Sequence, residues 1–333
     1  MTRSAAVLMA VLAAGTESLT SGELLLTQRQ AYVMGTRVEL SAFARDRAAG
    51  LKALDAALAS LEATDQELST WKPASSISAI NRLAIGHTWS LQPDLCRLLV
   101  ELDEWRIGTG GTFDPGIGAL TTAWGIHEDG RTPTPRELQT ARARSGLRLF
   151  DIDRQRCRVT RRGEATIDVG AFGKGEALDR ARAVLNALPW MIDFGGQVSV
   201  GGAASGGKAW SVRIAHPVDR SRSIMSVQLK SGSLSTSAGS EHDVRVNGVR
   251  IGHILDPRTG VPAPYRGSVV VWHERALVAD ILSTALHVMG PREGMKWAES
   301  HDVATAFLIP IGDGVETIST ASFAALEPTT EPE

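Results

Sequence analysis

The chain has little of what marks several common protein classes. Two cysteines, Cys96 and Cys157, occur in 333 residues. That excludes a disulfide-rich scaffold and a cysteine-built zinc site, and the pair reads as two free, buried thiols rather than a bridge. There is no basic surplus: 35 Lys and Arg stand against 37 Asp and Glu, so the footprint of a nucleic-acid binder is missing. Apolar runs are short. The run from Ala5 to Ala14 has ten residues, too few to cross a bilayer of roughly 30 Å. The eight histidines form no H-E-x-x-H pair, and Ser237 lacks the first glycine of a G-x-S-x-G elbow, because position 235 is serine. This disfavours zinc hydrolysis and a serine hydrolase.

What is present supports a folded protein. Hydrophobic residues make up 43%, enough for a sizeable core. The start, MTRSAAVLMAVLAAGTES, has Arg3, the short apolar run and the small residues Ala13, Ala14 and Gly15. Residues 1–20 therefore fit a secretory signal peptide, and a periplasmic or exported location is expected. One domain is expected over residues 30–315, and the polar end, residues 326–333, is expected to be a flexible tail.

Alternation at Val38, Leu40 and Ala42 predicts a strand from Thr36. Leu51, Leu54, Leu58, Leu61 and Leu68 predict an amphipathic helix from Asp46, and STWKPASSISAIN reads as an irregular polar segment. Further helices are predicted over Pro93–Ile107, Pro135–Arg144, Lys174–Leu188, Ala279–Met289 (closed by Gly290) and Pro291–Ser300. LRLFDID and CRVTR predict a hairpin. MIDFGG, WSVRIAHP, SIMSVQLKSGS and RGSVVVW predict strands, with VATAFLIP as the last. Hairpins mixed with intervening helices argue for an α+β fold with mixed, largely antiparallel sheets and flanking helices, not a doubly wound parallel sheet.

Three stretches could carry chemistry. DVGAFGKGEALDRA places glycines 170, 173 and 175 and Lys174 just before a helix, where an anion is favoured, although the stretch matches neither a Walker A loop nor G-x-G-x-x-G. In VADILSTALHVMG, Asp280 and Thr284 lie one helical turn apart and offer hard oxygens suited to Mg²⁺. In HILDPRTG, Pro257 and Gly260 make a rigid turn after His253, with Asp256 and Arg258 as turn-stabilising partners. Each also has a plain reading: a tight turn, a helix cap, a polar hairpin. Trp71, among Ser69, Thr70 and Lys72, has few reasons to be buried and could stack on a flat ligand.

The order of the segments carries more than any one of them. MGT at Met34, STWKPASSISAIN, TFDPGIGAL at Thr112, TTAWG at Thr121, DVGAFGKGEALDRA at Asp168, MIDFGG, LSTSAG, HILDPRTG and ADILSTALHVMG follow one another over roughly residues 30 to 310 as in the ApbE family, which the chain resembles. The resemblance implies the ApbE-like flavin transferase fold and an enzyme that binds FAD with Mg²⁺. It transfers FMN to a Thr or Ser hydroxyl of an acceptor redox protein and releases AMP. It further implies a metal site of Asp280, Thr284 and the main-chain oxygen of Ala171. Flavin-nucleotide contacts would come from Met34, Trp71, Thr112, Phe113, Asp114, Asp168, Lys174 and Ile254, and His253 would assist deprotonation or orient the diphosphate. Trp71 holds the place of a usual tyrosine. Glu176 stands where the family commonly has an aromatic, Phe172 replaces an aliphatic, and Ala238–Gly239 replaces Gly-Tyr, the next tyrosine being Tyr265. Two other functions stay open at this level: a non-catalytic FAD carrier or maturation factor, and a Mg²⁺-dependent FAD pyrophosphatase.

Overall fold

A computed structural model describes residues 24–330 except 186–187, 240–243, 247–248 and 313; the proposed signal peptide lies outside the described residues. The alternating segment at Thr36 is the second strand of an eight-stranded sheet. Its strands are β1 (Leu25–Val33), β2 (Thr36–Ala44), β3 (Trp190–Phe194), β4 (Gln197–Gly201), β5 (Ser231–Ala238), β6 (Ser268–His273), β7 (Ala304–Ile311) and β8 (Gly314–Ser319). They lie side by side in chain order, every neighbour antiparallel. The fold is α+β, as expected. VATAFLIP is not the last strand of the chain: β8 follows it at the sheet edge, and Thr329–Thr330 pairs with Ser226 and Met225. SIMSVQLKSGS is not one strand either. Ser223–Leu229 belongs to a separate three-stranded sheet, and the chain then enters β5.

The helices are α1 (Arg47–Leu68), α2 (Ser76–Asn81), α3 (Pro93–Gly108), α4 (Gly118–Trp124), α5 (Pro135–Ala143), α6 (Gly173–Leu185) and α7 (Ala276–Ser300). Of these, α1, α6 and α7 cover one face of the large sheet, and α2–α5 lie beyond them. Leu54, Ala57 and Leu61 of α1 meet Leu178, Ala181 and Leu185 of α6 over Val38, Leu40 and Ile192. The three-stranded sheet covers the other face, through Trp210, Val212 and Val227 against Val200, Leu234 and Leu308. The run of valines in β6 follows from this layering: Val269 and Val271 pack with α7, Val270 with the small sheet. In α7 the helix breaks at Gly290, whose φ of 73° only glycine adopts at little cost, and restarts at Pro291.

Two further expectations are corrected. STWKPASSISAIN is not irregular throughout: Ser75 caps α2 by accepting from the Ser78 amide, and Ile77 and Ile80 enter the core. Cys96 and Cys157 are not free thiols. They form a disulfide, Cα atoms 5.4 Å apart, that joins α3 to the start of the strand Arg158–Arg161. A separation of 61 residues gives no spacing signal, so only the fold brings the two together.

Candidate functional site

Two hairpin tips and the end of a third strand meet on one side of the large sheet. The β1–β2 tip is Met34–Gly35, with φ of 49° and 74°, and the β3–β4 tip is Gly195–Gly196, with φ of 59° and 86°. Two positive-φ residues between paired strands make the tight turn that suits strand twist. A side chain at Gly195 would come within 2.7 Å of the Thr36 hydroxyl, so the tips can lie together only with glycine there. These tips, Thr236, Ser237 and Ala238 of β5, the first residues of α6 and one face of α7 enclose a cavity of about 410 Å³.

Met34, Trp71, Asp114, Asp168, Ala171, Lys174, His253, Ile254, Asp280 and Thr284 all line that cavity. Thr112 and Phe113 do not. Phe113 is fully buried in the core beside α3, and the Thr112 hydroxyl donates to the Thr109 carbonyl at 3.0 Å. The apolar side chain of a loop residue goes to the nearest core, and Asp114 alone of that trio reaches the cavity.

Each polar group is held by its backbone surroundings. Asn81, the last residue of α2, bonds both main-chain groups of Ile167 (2.7 and 2.9 Å), and Asp168 N donates to the Pro115 carbonyl at 2.7 Å. One Asp168 oxygen accepts from Gly170 N at 2.8 Å and the other meets His127 Nε2 at 3.0 Å. Asp114 accepts from the Gly116 and Leu147 amides, both at 2.8 Å; burial nevertheless raises its pKa above the ordinary carboxylate value. Asp280 is buried and its Oδ2 accepts from Gly175 N at 3.0 Å. A side chain at Gly175 would come within 2.6 Å of Ala276 O and Leu277 Cα, so glycine lets α6 dock on α7 closely enough for that bond. Lys174 Nζ donates to the Gly195 carbonyl at 3.3 Å.

The hydroxyl-rich β5 zips onto α7: Ser235 and Ser237 bond Ser283 at 3.1 and 2.9 Å, and Ser237 lies 3.4 Å from Thr284. After His253 the chain closes a tight loop, with Gly260 N donating to Asp256 O at 2.7 Å and Asp256 N to Val261 O at 2.8 Å. Arg258 turns back onto the Asp256 carboxylate, as expected, and Trp124 Nε1 and Arg142 clasp the Gly260 and Arg258 carbonyls. Glu176 points away from the cavity. It is buried and accepts from Arg97 at 3.1 Å and Arg180 at 2.8 Å. Phe172 is core, and Tyr265 packs on Phe307 and His287 with its hydroxyl donating to the Leu308 carbonyl.

His127 was not legible from the sequence. It stands two residues after TTAWG, and its partner Asp168 lies 41 residues further on. The hydrogen bond to Asp168 raises its pKa, and its ring stands edge-to-face with Trp71, centroids 5.4 Å apart. A wider depression of about 790 Å³ lies across α4, lined by Arg82, Arg131, Arg136, Arg144 and Arg161 among others. None of the residues expected from the sequence lines it.

The ApbE family matches residues 34–308. A protein of Klebsiella pneumoniae named FAD:protein FMN transferase is 28% identical over 303 residues, covering 87% of this chain and 86% of that protein. The crystal structure of the ApbE protein from Thermotoga maritima superposes with a TM-score of 0.84 at 26% identity, covering 91% of this chain and 99% of that one. The apo flavinyl transferase ApbE of Pseudomonas stutzeri does so with a TM-score of 0.81 at 26% identity, covering 92% and 98%.

Proposed function

Because the chain belongs to the ApbE family, we propose that it transfers FMN from FAD to a Thr or Ser hydroxyl of an acceptor redox protein and releases AMP. The observation that supports this most is the convergence of a lone-carboxylate oxygen site, a lysine, a histidine and an exposed indole on one cavity. The hydroxyl oxygen attacks the phosphorus of the FMN half, the bond to the AMP phosphate breaks, and the hydroxyl proton passes to His253. Lys174, at the positive end of the α6 dipole, offsets the charge of the diphosphate. Trp71 and Met34 give the flavin ring an apolar surface, with Ile254 beside them.

The residues present fit a magnesium ion. Asp280, Thr284 and the Ala171 carbonyl are hard oxygen donors with a single carboxylate among them, which suits an ion that completes its shell with phosphate and water. Among the described residues no group of three or more His, Cys, Asp or Glu offers a rival cage. When bound, the ion would neutralise phosphate charge.

An exported location accords with the N-terminal pattern and with the disulfide, a bond that persists in oxidising compartments. Among the described residues no helix is long and apolar enough to cross a membrane. The test is to incubate the purified chain with FAD, Mg²⁺ and an exported redox protein. Covalent flavin on the acceptor with stoichiometric AMP supports transfer. Intact bound FAD points to a carrier, and FMN plus AMP without labelling to a pyrophosphatase.

A further inference from the structure

Trp71 is the most conspicuous apolar surface in the cavity, 72% exposed, and it sits on a short loop between α1 and α2. Its backbone is pinned, since Ser69 Oγ accepts from both Trp71 N and Lys72 N at 3.2 Å. The side chain has no such fixation from its own loop. An exposed indole left to sample rotamers must be ordered when a flat ligand arrives, and that ordering costs affinity.

A neighbouring segment of the cavity lining supplies the missing restraint. His127 lies in the turn after α4, where Ile126 N donates to Thr121 O, Gly130 N to Gly125 O and Arg131 N to Trp124 O. Its imidazole is set by Asp168, and Asp168 is itself fixed by Gly170 N and by the Asn81–Ile167 pairing. Among the described residues, His127 is the ring partner of Trp71, with the planes at 84°. An imidazole facing a carboxylate on one side and an indole on the other holds both in place, and its protonated form is attracted to the aromatic system.

We propose that His127 is a positioning residue for flavin binding: anchored by Asp168, it fixes the Trp71 indole in the orientation that meets the flavin ring. The inference rests on the functional reading above, because it takes FAD as the ligand. It assigns Asp168 a task beyond direct contact with the nucleotide, namely holding the clamp.

A double-mutant cycle tests this with FAD and Mg²⁺ alone, reading affinity from the quenching of flavin fluorescence. Trp71→Ala weakens binding, and His127→Ala weakens it by about fivefold in the otherwise native chain. In the Trp71→Ala background His127→Ala changes affinity less than about twofold, because it acts through a ring no longer there. His127→Gln, which keeps a donor for Asp168 and loses the ring, behaves as His127→Ala. Full additivity, or full recovery with glutamine, overturns the proposal. So does a His127→Ala chain that binds and quenches FAD like the native one. A native chain that binds no FAD removes the functional reading itself, an outcome distinct from native binding with additive variants.

Discussion

Asp280 serves two physical ends that substitution can separate. Its carboxylate accepts from Gly175 N, an amide in the first turn of α6 with no partner inside its own helix. It also brings negative charge to the positive end of that helix and an oxygen to the cavity wall. Asp280→Asn keeps an acceptor oxygen and loses the charge, so folding stability should fall by only about 0.5–1 kcal/mol, the charge–dipole part. Asp280→Ala also loses a charge-assisted hydrogen bond and should fall by about 2 kcal/mol. Activity should sort differently. Where the carboxylate acts by holding Mg²⁺ at the diphosphate, both variants lose about 10²- to 10³-fold in AMP release, the effect of removing one electrostatic stabiliser. Guanidinium unfolding and AMP release from FAD with acceptor would be measured on the same preparations. An asparagine variant that turns over within a few-fold of the native chain would refute the electrostatic assignment. Equal stability loss in both would refute the reading of the Gly175 bond.

Other outcomes follow from the same geometry. Reducing the Cys96–Cys157 bridge, or Cys157→Ala, frees a loop of 61 residues and should cost about 4 kcal/mol on the chain-entropy model; unfolding midpoints that ignore dithiothreitol would count against it. Gly175→Ala forces a Cβ against the α7 backbone and should destabilise by about 1–3 kcal/mol, read as a lowered thermal midpoint. His253→Ala should lower transfer about 10²-fold or more while FAD still binds; near-native turnover would remove His253 from the mechanism. Asp168 raises the His127 pKa above its ordinary 6.5, so the charged pair is complete below that value and is lost as pH rises through the raised one. FAD affinity should therefore decline with rising pH across that range, and His127→Gln should flatten the step; a step unchanged in the variant belongs to another group.

The parts of this fold that sequence reading recovers are those with strong one-dimensional periodicity. The leucine stripe of α1 repeats at helical spacing, and the unbroken valine run of β6 and the single Gly290–Pro291 break are equally local signals. The parts it misses are edges and short pieces. β1 and β8 bury few side chains, so their alternation carries little apolar signal, and six-residue α2 is too short to show a helical face. The site divides the same way. Residues within one local motif, such as Asp280 with Thr284 or Asp168 with Lys174, can be read together. The disulfide and the His127–Asp168 pair join distant segments and carry no spacing signal. Phe113 shows the opposite error: a residue inside a meaningful motif whose side chain answers to the core.

The departures from the family pattern bear on this reading through where their side chains go. A carboxylate at position 176 would oppose a diphosphate if it faced the cavity. Instead Glu176 closes an ion cluster with Arg97 and Arg180 behind α6, and Arg180 also pairs with Glu67 of α1. Two residues, about 200° around the helix, separate it from Lys174, so the lysine faces the cavity while the glutamate faces the protein. The missing tyrosine after β5 is met differently. Aromatic surface in the cavity comes from Trp71, whose ring meets that of His127, a residue on yet another segment. With no tyrosine at the β5 end, the exposed aromatic surface of the cavity rests on the Trp71 loop. That is why the clamp on Trp71, more than any residue of β5, should govern how tightly this chain holds a flavin.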